Sequence, residues 1–328
     1  MKTKSKVIFF TSGLALIVIA GSIIALKIIP TTIAYPTGQD NNQQNSKNTI
    51  VFAIQPKFDL AGEYKEGLAP VQIDNKWGFI NKNDQVVIKP QFDWVGNFSK
   101  EHLAGVTIGD KSGFINQEGN FIIKPQFDEV RSFSEGLAAV SVQGVAGNSA
   151  NGKYGYINVQ GQFIIKPQFG AAGEFSEGLA PARVIDEGYG YIDKSGRLVI
   201  KPQFYDAYSF HEGLASVRIG YINKKGEIVI KIGSFTNDFS EGLASVQTGG
   251  KAGYINKQGK FIIKPQFDGA LGFSEGLAVV QIRDKMGYIN KSGYLVIKPQ
   301  FDGALGFSEG LAPVQIDGKW GYIRNPLN

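Results

Sequence analysis

The sequence predicts an all-β repeat array: eight copies of a unit of roughly 34 residues, carried behind one apolar N-terminal segment. Three recurring elements make the case. Glu-Gly-Leu opens at Glu66, Glu135, Glu177, Glu212, Glu241, Glu275 and Glu309, with Glu101-His102-Leu103 as a deviant second copy. A Gly-aromatic-Ile element follows at Gly78, Gly113, Gly155, Gly190, Gly220, Gly253, Gly287 and Gly321. An apolar run ending in Lys-Pro-Gln-Phe comes next, as in Phe261-Ile262-Ile263-Lys264-Pro265-Gln266-Phe267. Matches at nearly constant spacing do not arise from composition, and a fixed period of this size means a solenoid, propeller or array. The 42 glycines and 23 phenylalanines suit short strands and tight turns better than helices. With no cysteine in the chain, disulfides, thiol catalysis and cysteine-ligated metals are excluded.

Residues 1–34 read as a membrane anchor. The run 7–26 holds 20 residues without a charge, which as a helix spans roughly 30 Å, the thickness of a bilayer's hydrocarbon core. Lys2, Lys4 and Lys6 precede it and only Lys27 follows closely, so the positive-inside rule places the N-terminus in the cytoplasm and the rest outside. The alternative is a signal peptide cleaved after Thr32-Ile33-Ala34, leaving a secreted or periplasmic domain. Residues 35–48 are polar and rich in Asn and Gln, the composition of a flexible tether with a mean reach of about 20 Å. The four lysines of 1–34 also explain the formal charge of +5: without them 30 basic residues face 29 acidic ones. A nearly neutral folded domain, 49–328, argues against nucleic acid as a partner.

Each unit divides into strand-like pieces. Ala69-x-Val71-x-Ile73 alternates with period two, the mark of a strand with one buried face. The Ala-x-Val pair recurs in every copy but the fourth, where Ala182 replaces the valine. Asp74-Asn75 and Asp317-Gly318 are hairpin signals ahead of the Gly-aromatic-Ile strand. A third strand such as Phe121-Ile122-Ile123 is apolar on both faces, which predicts cover on both sides. The proline of Lys-Pro-Gln is expected to end or border that strand. The segment Phe-Asp-x-x-x-x-Phe-Ser is open to a short fourth strand or a loop. The glycine before the aromatic is expected to leave room for a neighbouring ring.

The units together resemble the WG-repeat family, also called KWG repeats. Lys76-Trp77-Gly78-Phe79-Ile80-Asn81 and Lys319-Trp320-Gly321-Tyr322-Ile323 carry the resemblance, with the Phe-Ser-Glu-Gly-Leu-Ala and apolar-Lys-Pro-Gln-Phe-Asp elements around them. It covers about 49–328. Ser112, Tyr154, Tyr189, Ala252 and Met286 replace the tryptophan, and the fifth copy, Ile219-Gly220-Tyr221, is expected to have lost its hairpin turn. The resemblance implies a mostly bacterial family without assigned catalytic residues or cofactors.

The phase of the array bears on its closure. The chain enters at 50–59, a degenerate third strand, and leaves just after the second strand at Gly321-Tyr322-Ile323. Pairing these leftovers closes a propeller-like ring and hides two edges. An open β-solenoid or spiral is the alternative. The recurrent glutamates and the Gly-aromatic-Ile glycines are expected to be structural, each Glu accepting backbone hydrogen bonds within its own Ser-Glu-Gly turn.

Enzymatic constellations are thin. His102 and His211 are isolated and form neither a metal site nor a triad, and Asp186-Glu187 could serve glycoside hydrolysis only at a suitable separation. No catalytic residue, metal or cofactor is therefore expected. The expected function is a membrane-anchored binding module outside the cytoplasm, recognising a protein or an envelope glycan. An enzyme acting on envelope polysaccharide is the alternative. Candidate ligand contacts are Trp94, Tyr205 and Tyr208, which replace small residues of the Phe-Asp segment. Copy three's insertion at 144–152 adds a further departure, and such departures map to loops on one face of repeat folds.

Overall fold

The computed structural model describes residues 51–142, 153–233 and 236–328. The expected anchor at 7–26 and the expected tether at 35–48 lie outside them. Among the described residues no helix is long and apolar enough to cross a membrane.

The strands form eight antiparallel sheets, each a blade of one propeller. Blade 1 is typical: Leu60–Ala61, Leu68–Ile73, Lys76–Asn81 and Val86–Phe92 run from the axis to the rim. Blades 2, 3 and 4 span 94–127, 129–169 and 171–204, and blades 5, 6 and 7 span 207–231, 243–267 and 269–301. Blade 6 has three full strands, with Thr236 bridging to Val246 where the innermost strand would lie. The Phe-Asp segment is thus the innermost strand, only two residues long in blade 1.

Blade 8 takes its outermost strand, Phe52–Phe58, from the start of the domain. That strand pairs with Lys319–Arg324 through Phe52↔Ile323, Ile54↔Tyr322 and Phe58↔Trp320. The closed ring is therefore the arrangement found, not the open spiral. Apolar clusters fill the spaces between blades, each shared by two neighbours. One holds Trp77, Phe79 and Phe92 of blade 1 with Phe98, Val106 and Ile115 of blade 2. Another joins Ile54, Phe58 and Tyr322 of blade 8 to Tyr64, Val71 and Ile80 of blade 1. The aromatic of each Gly-aromatic-Ile meets an aromatic of the following blade. Eight such pairs, at 4.7 to 5.0 Å between centroids, run round the ring and include Tyr64–Tyr322 across the seam.

Four details differ from the sequence expectations. The outermost strand continues through its proline: Trp77 pairs with Phe92 and Phe79 with Ile88, so Lys89-Pro90-Gln91 bulges opposite Gly78. A bulge removes residues from the ladder, and Pro90's missing N–H costs nothing there. Gly78 makes room for that bulge and not for a ring; a Cβ there would stand 2.4 Å from the Ile88 carbonyl oxygen and 2.6 Å from the Pro90 nitrogen. The outermost strand is also not covered on both sides, since Phe121 and Ile122 are exposed and only Ile123 turns inward. Finally, blade 5 keeps its hairpin in shortened form. Val217 pairs with Gly220, so Arg218-Ile219 makes a turn that 72–77 makes in blade 1.

Candidate functional site

Alternating strand direction gives the ring two ends. One carries the Ser-Glu-Gly turns, the other the hairpin tips and the links between blades. Contacts repeated in every blade must be separated from those that are not, because only the latter can confer selectivity.

At the first end each recurrent glutamate reaches the next blade, not its own turn. Glu309 accepts from the Gly67 N–H at 3.2 Å, Glu101 from Gly136 at 2.8 Å, and Glu275 from Gly310 at 3.1 Å. In blade 2, His102 takes the glycine's place, with its Nδ1 at 3.6 Å from Glu66. A lysine from the next blade often completes the site, as Lys82 to Glu309 at 3.0 Å and Lys257 to Glu212 at 2.9 Å. Burial works against the ionised form of Glu212, but Lys257 and the Gly242 N–H outweigh it and hold the carboxyl below its ordinary range. The glutamates sit at φ near +53°, as at Glu135, Glu212 and Glu275, a region that costs a non-glycine residue about 1 kcal/mol. The cross-blade bonds offset that strain. Blade 3 has Val159 where these lysines stand, and a buried Glu101 oxygen there has no hydrogen-bond partner.

At the hairpin end, aspartates tie blades together in the same repeated way. Asp59 accepts from Lys319 at 2.6 Å and from the Asp74 N–H at 2.9 Å; Asp93 accepts from Lys76 at 2.7 Å and the Gly109 N–H at 2.7 Å.

The departures collect elsewhere, on the innermost strands and the adjoining row of side chains in blades 3 to 6. Strand register defines that row. Leu60, Gln72 and Trp77 lie side by side in blade 1, and Gly303, Gln315 and Trp320 in blade 8. Blade 3 has Glu129, Ser141 and Tyr154 in the same places, and blade 4 has Ala171, Arg183 and Tyr189. The Tyr154 hydroxyl donates to Glu129, and Arg131 Nη2 lies 3.0 Å from the other Glu129 oxygen. Burial, then the Glu129 charge, raises the Tyr154 phenol well above its ordinary range, so it stays a donor. Arg131 also faces Glu174, whose carboxyl burial raises while Ser132 and Arg131 counter it. Between blades 5 and 6, burial raises Asp238 of blade 6, with His211 Nε2 of blade 5 opposing from 3.5 Å. One Asp206 oxygen in blade 5 is buried without a hydrogen-bond partner.

The three candidate aromatics are not brought together. Tyr205 is 79% exposed at the start of blade 5, with the Arg218 guanidinium 4.8 Å from its ring. Tyr208 is 46% exposed on the innermost strand of that blade, and its carbonyl accepts the Tyr191 hydroxyl at 2.8 Å. Trp94 lies on blade 2, half-buried, its ring over Gly96 and Gly105 and packed with the cluster of Phe114 and Val130. Glu129, Arg131 and Arg183 escaped the sequence reading, and Tyr154 and Tyr189 entered it only as replacements of the tryptophan. The signal was there, but only when departures are aligned across strands instead of along one segment. Among the described residues no group of His, Asp or Glu is arranged to hold a metal ion. Asp186 and Glu187 stand together on the exposed hairpin tip of blade 4.

The fold and repeated contacts define an eight-bladed propeller built from one sequence unit. The chain belongs to the WG containing repeat family, whose profile matches at 45–77, 77–111, 113–145, 154–186, 189–220, 219–251, 253–285 and 286–320. No curated protein sequence matches it. Among solved structures it is similar to the computationally designed Ika8 protein, at 10% identity and TM-score 0.57, covering 83% of this chain and 97% of that one. It is also similar to Saccharomyces cerevisiae Sqt1, at 9% identity and TM-score 0.52, covering 84% and 98%. At such identities the likeness is one of fold.

Proposed function

We propose that the ring is a non-catalytic binding module, held at the outer side of the cytoplasmic membrane by the 7–26 segment, that grips a protein or an envelope glycan along blades 3 to 5. The observation that supports this most is the asymmetry of one structural row. In blades 7, 8 and 1 it carries Gly269, Gln281 and Met286, then Gly303, Gln315 and Trp320, then Leu60, Gln72 and Trp77, none of them charged. In blades 3 and 4 it carries Glu129, Tyr154, Arg183 and Tyr189, with Arg131 paired to Glu129, and in blade 5 Asp206, Tyr205 and Arg218 stand nearby. Phenols and guanidiniums on a rigid scaffold are the groups that anchor interfaces at small entropic cost. The polysaccharide-acting alternative needs two carboxyl groups facing across a cleft, and Asp186 and Glu187 share one exposed tip.

Recovery of partners on full-length protein solubilised from membranes tests the site. Tyr205→Ala with Tyr208→Ala should lower recovery about tenfold, equivalent to about 1.4 kcal/mol, with little change in thermal midpoint. Trp94→Ala should also lower the midpoint, because its ring packs on Gly105. Undiminished recovery by the double variant would refute the site. Topology is checked separately: a protease added to intact cells with the outer barrier permeabilised should cut within 49–328. Protection until the inner membrane is lysed would place the ring in the cytoplasm.

A further inference from the structure

The rim of the ring repeats a pattern that neither the closure of the fold nor the row on blades 3 to 5 uses. On the outermost strands of blades 1 to 6 two apolar residues face outward, a third turns in, and a lysine follows. Val86 and Val87, Phe121 and Ile122, and Phe163 and Ile164 show it in blades 1 to 3, each between 38% and 50% exposed. Blades 4, 5 and 6 repeat it at 198–199, 228–229 and 261–262. The lysines, Lys89, Lys124 and Lys166 and their counterparts in blades 4 to 7, are all exposed. Among the described residues none of them forms an ion pair. The lysines of the hairpins and of the turns beside Ser-Glu-Gly are different, being paired to Asp or Glu at many positions. The strands Val86–Phe92, Phe121–Phe127 and Phe163–Phe169 contain no acid. A belt of exposed apolar side chains is thus lined by uncompensated positive charge.

We propose that this rim lies against an anionic lipid bilayer, with the apolar pairs entering the headgroup boundary and the lysines contacting lipid phosphates. Apolar groups that enter the interface by a few ångströms, flanked by lysine ammonium groups, are the chemistry of peripheral membrane contact. Each lysine near an anionic surface adds attraction that falls off within a Debye length. A flat bilayer meets two or three neighbouring blades of a round rim, and several adjacent blades offer the same motif.

The entry point of the chain selects the same surface. The strand Phe52–Phe58 is the outer strand of blade 8, and Phe52 pairs with Ile323 as Val86 pairs with Ile80. The chain therefore joins the ring at the height of the apolar pairs, on the rim, in a blade that itself carries Ala53 and Gln55 at these places and stands beside the first copy of the motif in blade 1. Before it stand the tether 35–48 and the apolar run 7–26. The proposal rests on the anchoring reading for proximity: a tether of about 20 Å keeps blade 8 and its neighbour, blade 1, within reach of the surface.

The chain has no cysteine, so one introduced thiol gives one label. Val87→Cys and Ile122→Cys report on the rim, and Asn75→Cys on an exposed hairpin tip away from it. Each is labelled with a fluorophore in the full chain and reconstituted into phosphatidylcholine vesicles, with or without an equal part of phosphatidylglycerol, containing a brominated lipid as quencher. Rim labels should be quenched about threefold more than the Asn75 label in anionic vesicles. Lys89→Gln with Lys124→Gln, or neutral vesicles, should remove that difference. Equal quenching at rim and tip in anionic vesicles overturns the proposal, as does a rim signal indifferent to lipid charge. If soluble heparin shields the rim labels while anionic vesicles leave them unquenched, the rim binds a polyanion and the lipid proposal fails. Flotation with vesicles in high salt reads the anchor alone, so a chain that floats with an unquenched rim fails here without touching the anchor. Thermal midpoints of the labelled variants, expected within a few degrees of the parent, show that the ring is intact.

Discussion

Removing residues 51–59 is expected to open the ring and to unfold most of the protein at temperatures where the intact chain is folded. The deletion takes away Ile54 and Phe58, 3% and 2% exposed in the seam between blades 8 and 1. Burial of two such side chains contributes about 1.5–3 kcal/mol each. Asp59 goes with them, leaving Lys319 and the Asp74 N–H without their acceptor. The Lys319–Arg324 strand loses its outer ladder, keeps only its pairing with Leu311–Ile316 and becomes an open edge. About 5 kcal/mol or more is lost together, against a total stability of about 5–15 kcal/mol. Thermal and urea unfolding followed by circular dichroism read the loss, and a 51–59 peptide added in trans should recover part of it. A deletion variant that melts within a few degrees of the parent would mean that the seam does not hold the ring.

Gly253→Ala should cost about 3 kcal/mol and lower the thermal midpoint by about 6–12 °C. The added Cβ would stand 2.6 Å from the Ile263 carbonyl oxygen, 2.7 Å from the Pro265 nitrogen and 2.9 Å from the Lys264 carbonyl carbon. All three are backbone atoms of the bulged outer strand, so no side-chain rotation relieves the clash. Gly233→Ala is the matched control: its Cβ would meet nothing within 4 Å, and the change should be neutral or slightly stabilising. If the two variants melt alike, the close approach of bulge and glycine is not what fixes residue 253.

Much of the ring was legible because period-two alternation and turn chemistry are local. Ala69-x-Val71-x-Ile73, the Asp74-Asn75 turn and the leftover strand at 50–59 each led to the element found, including the seam. What was misread depends on geometry that one unit does not encode. Glu101 bonds to Gly136, 35 residues on, about one repeat away. In a periodic sequence a contact to the next unit looks the same as a contact within the unit. An apolar triplet such as Phe121-Ile122-Ile123 reads alike on a buried strand and on a rim, because hydropathy records composition and not which side is left open. The Gly78 position reflects the path of a facing backbone, which has no signature in the glycine's own neighbours. The blade 3 to 5 row likewise emerges only from register. Glu129 is opposite Ser141 and Ser141 opposite Tyr154, three residues scattered over 26 positions of chain.

The family's repeat unit and the blade do not share a frame. A unit such as 77–111 begins in the third strand of blade 1 and ends at the hairpin of blade 2. Every copy is thus half of one blade and half of the next, and no blade is the product of a single copy. Unequal recombination between neighbouring copies would therefore add or remove one whole period at any matching point while leaving every remaining blade complete. The junction formed by the two chain ends would be untouched. Copies seven and eight, identical over 267–278 and 301–312, have the sequence such an event leaves behind. Ring circumference in this architecture can change in whole steps during descent, and a gene that gains a copy need not invent a new way to close the circle.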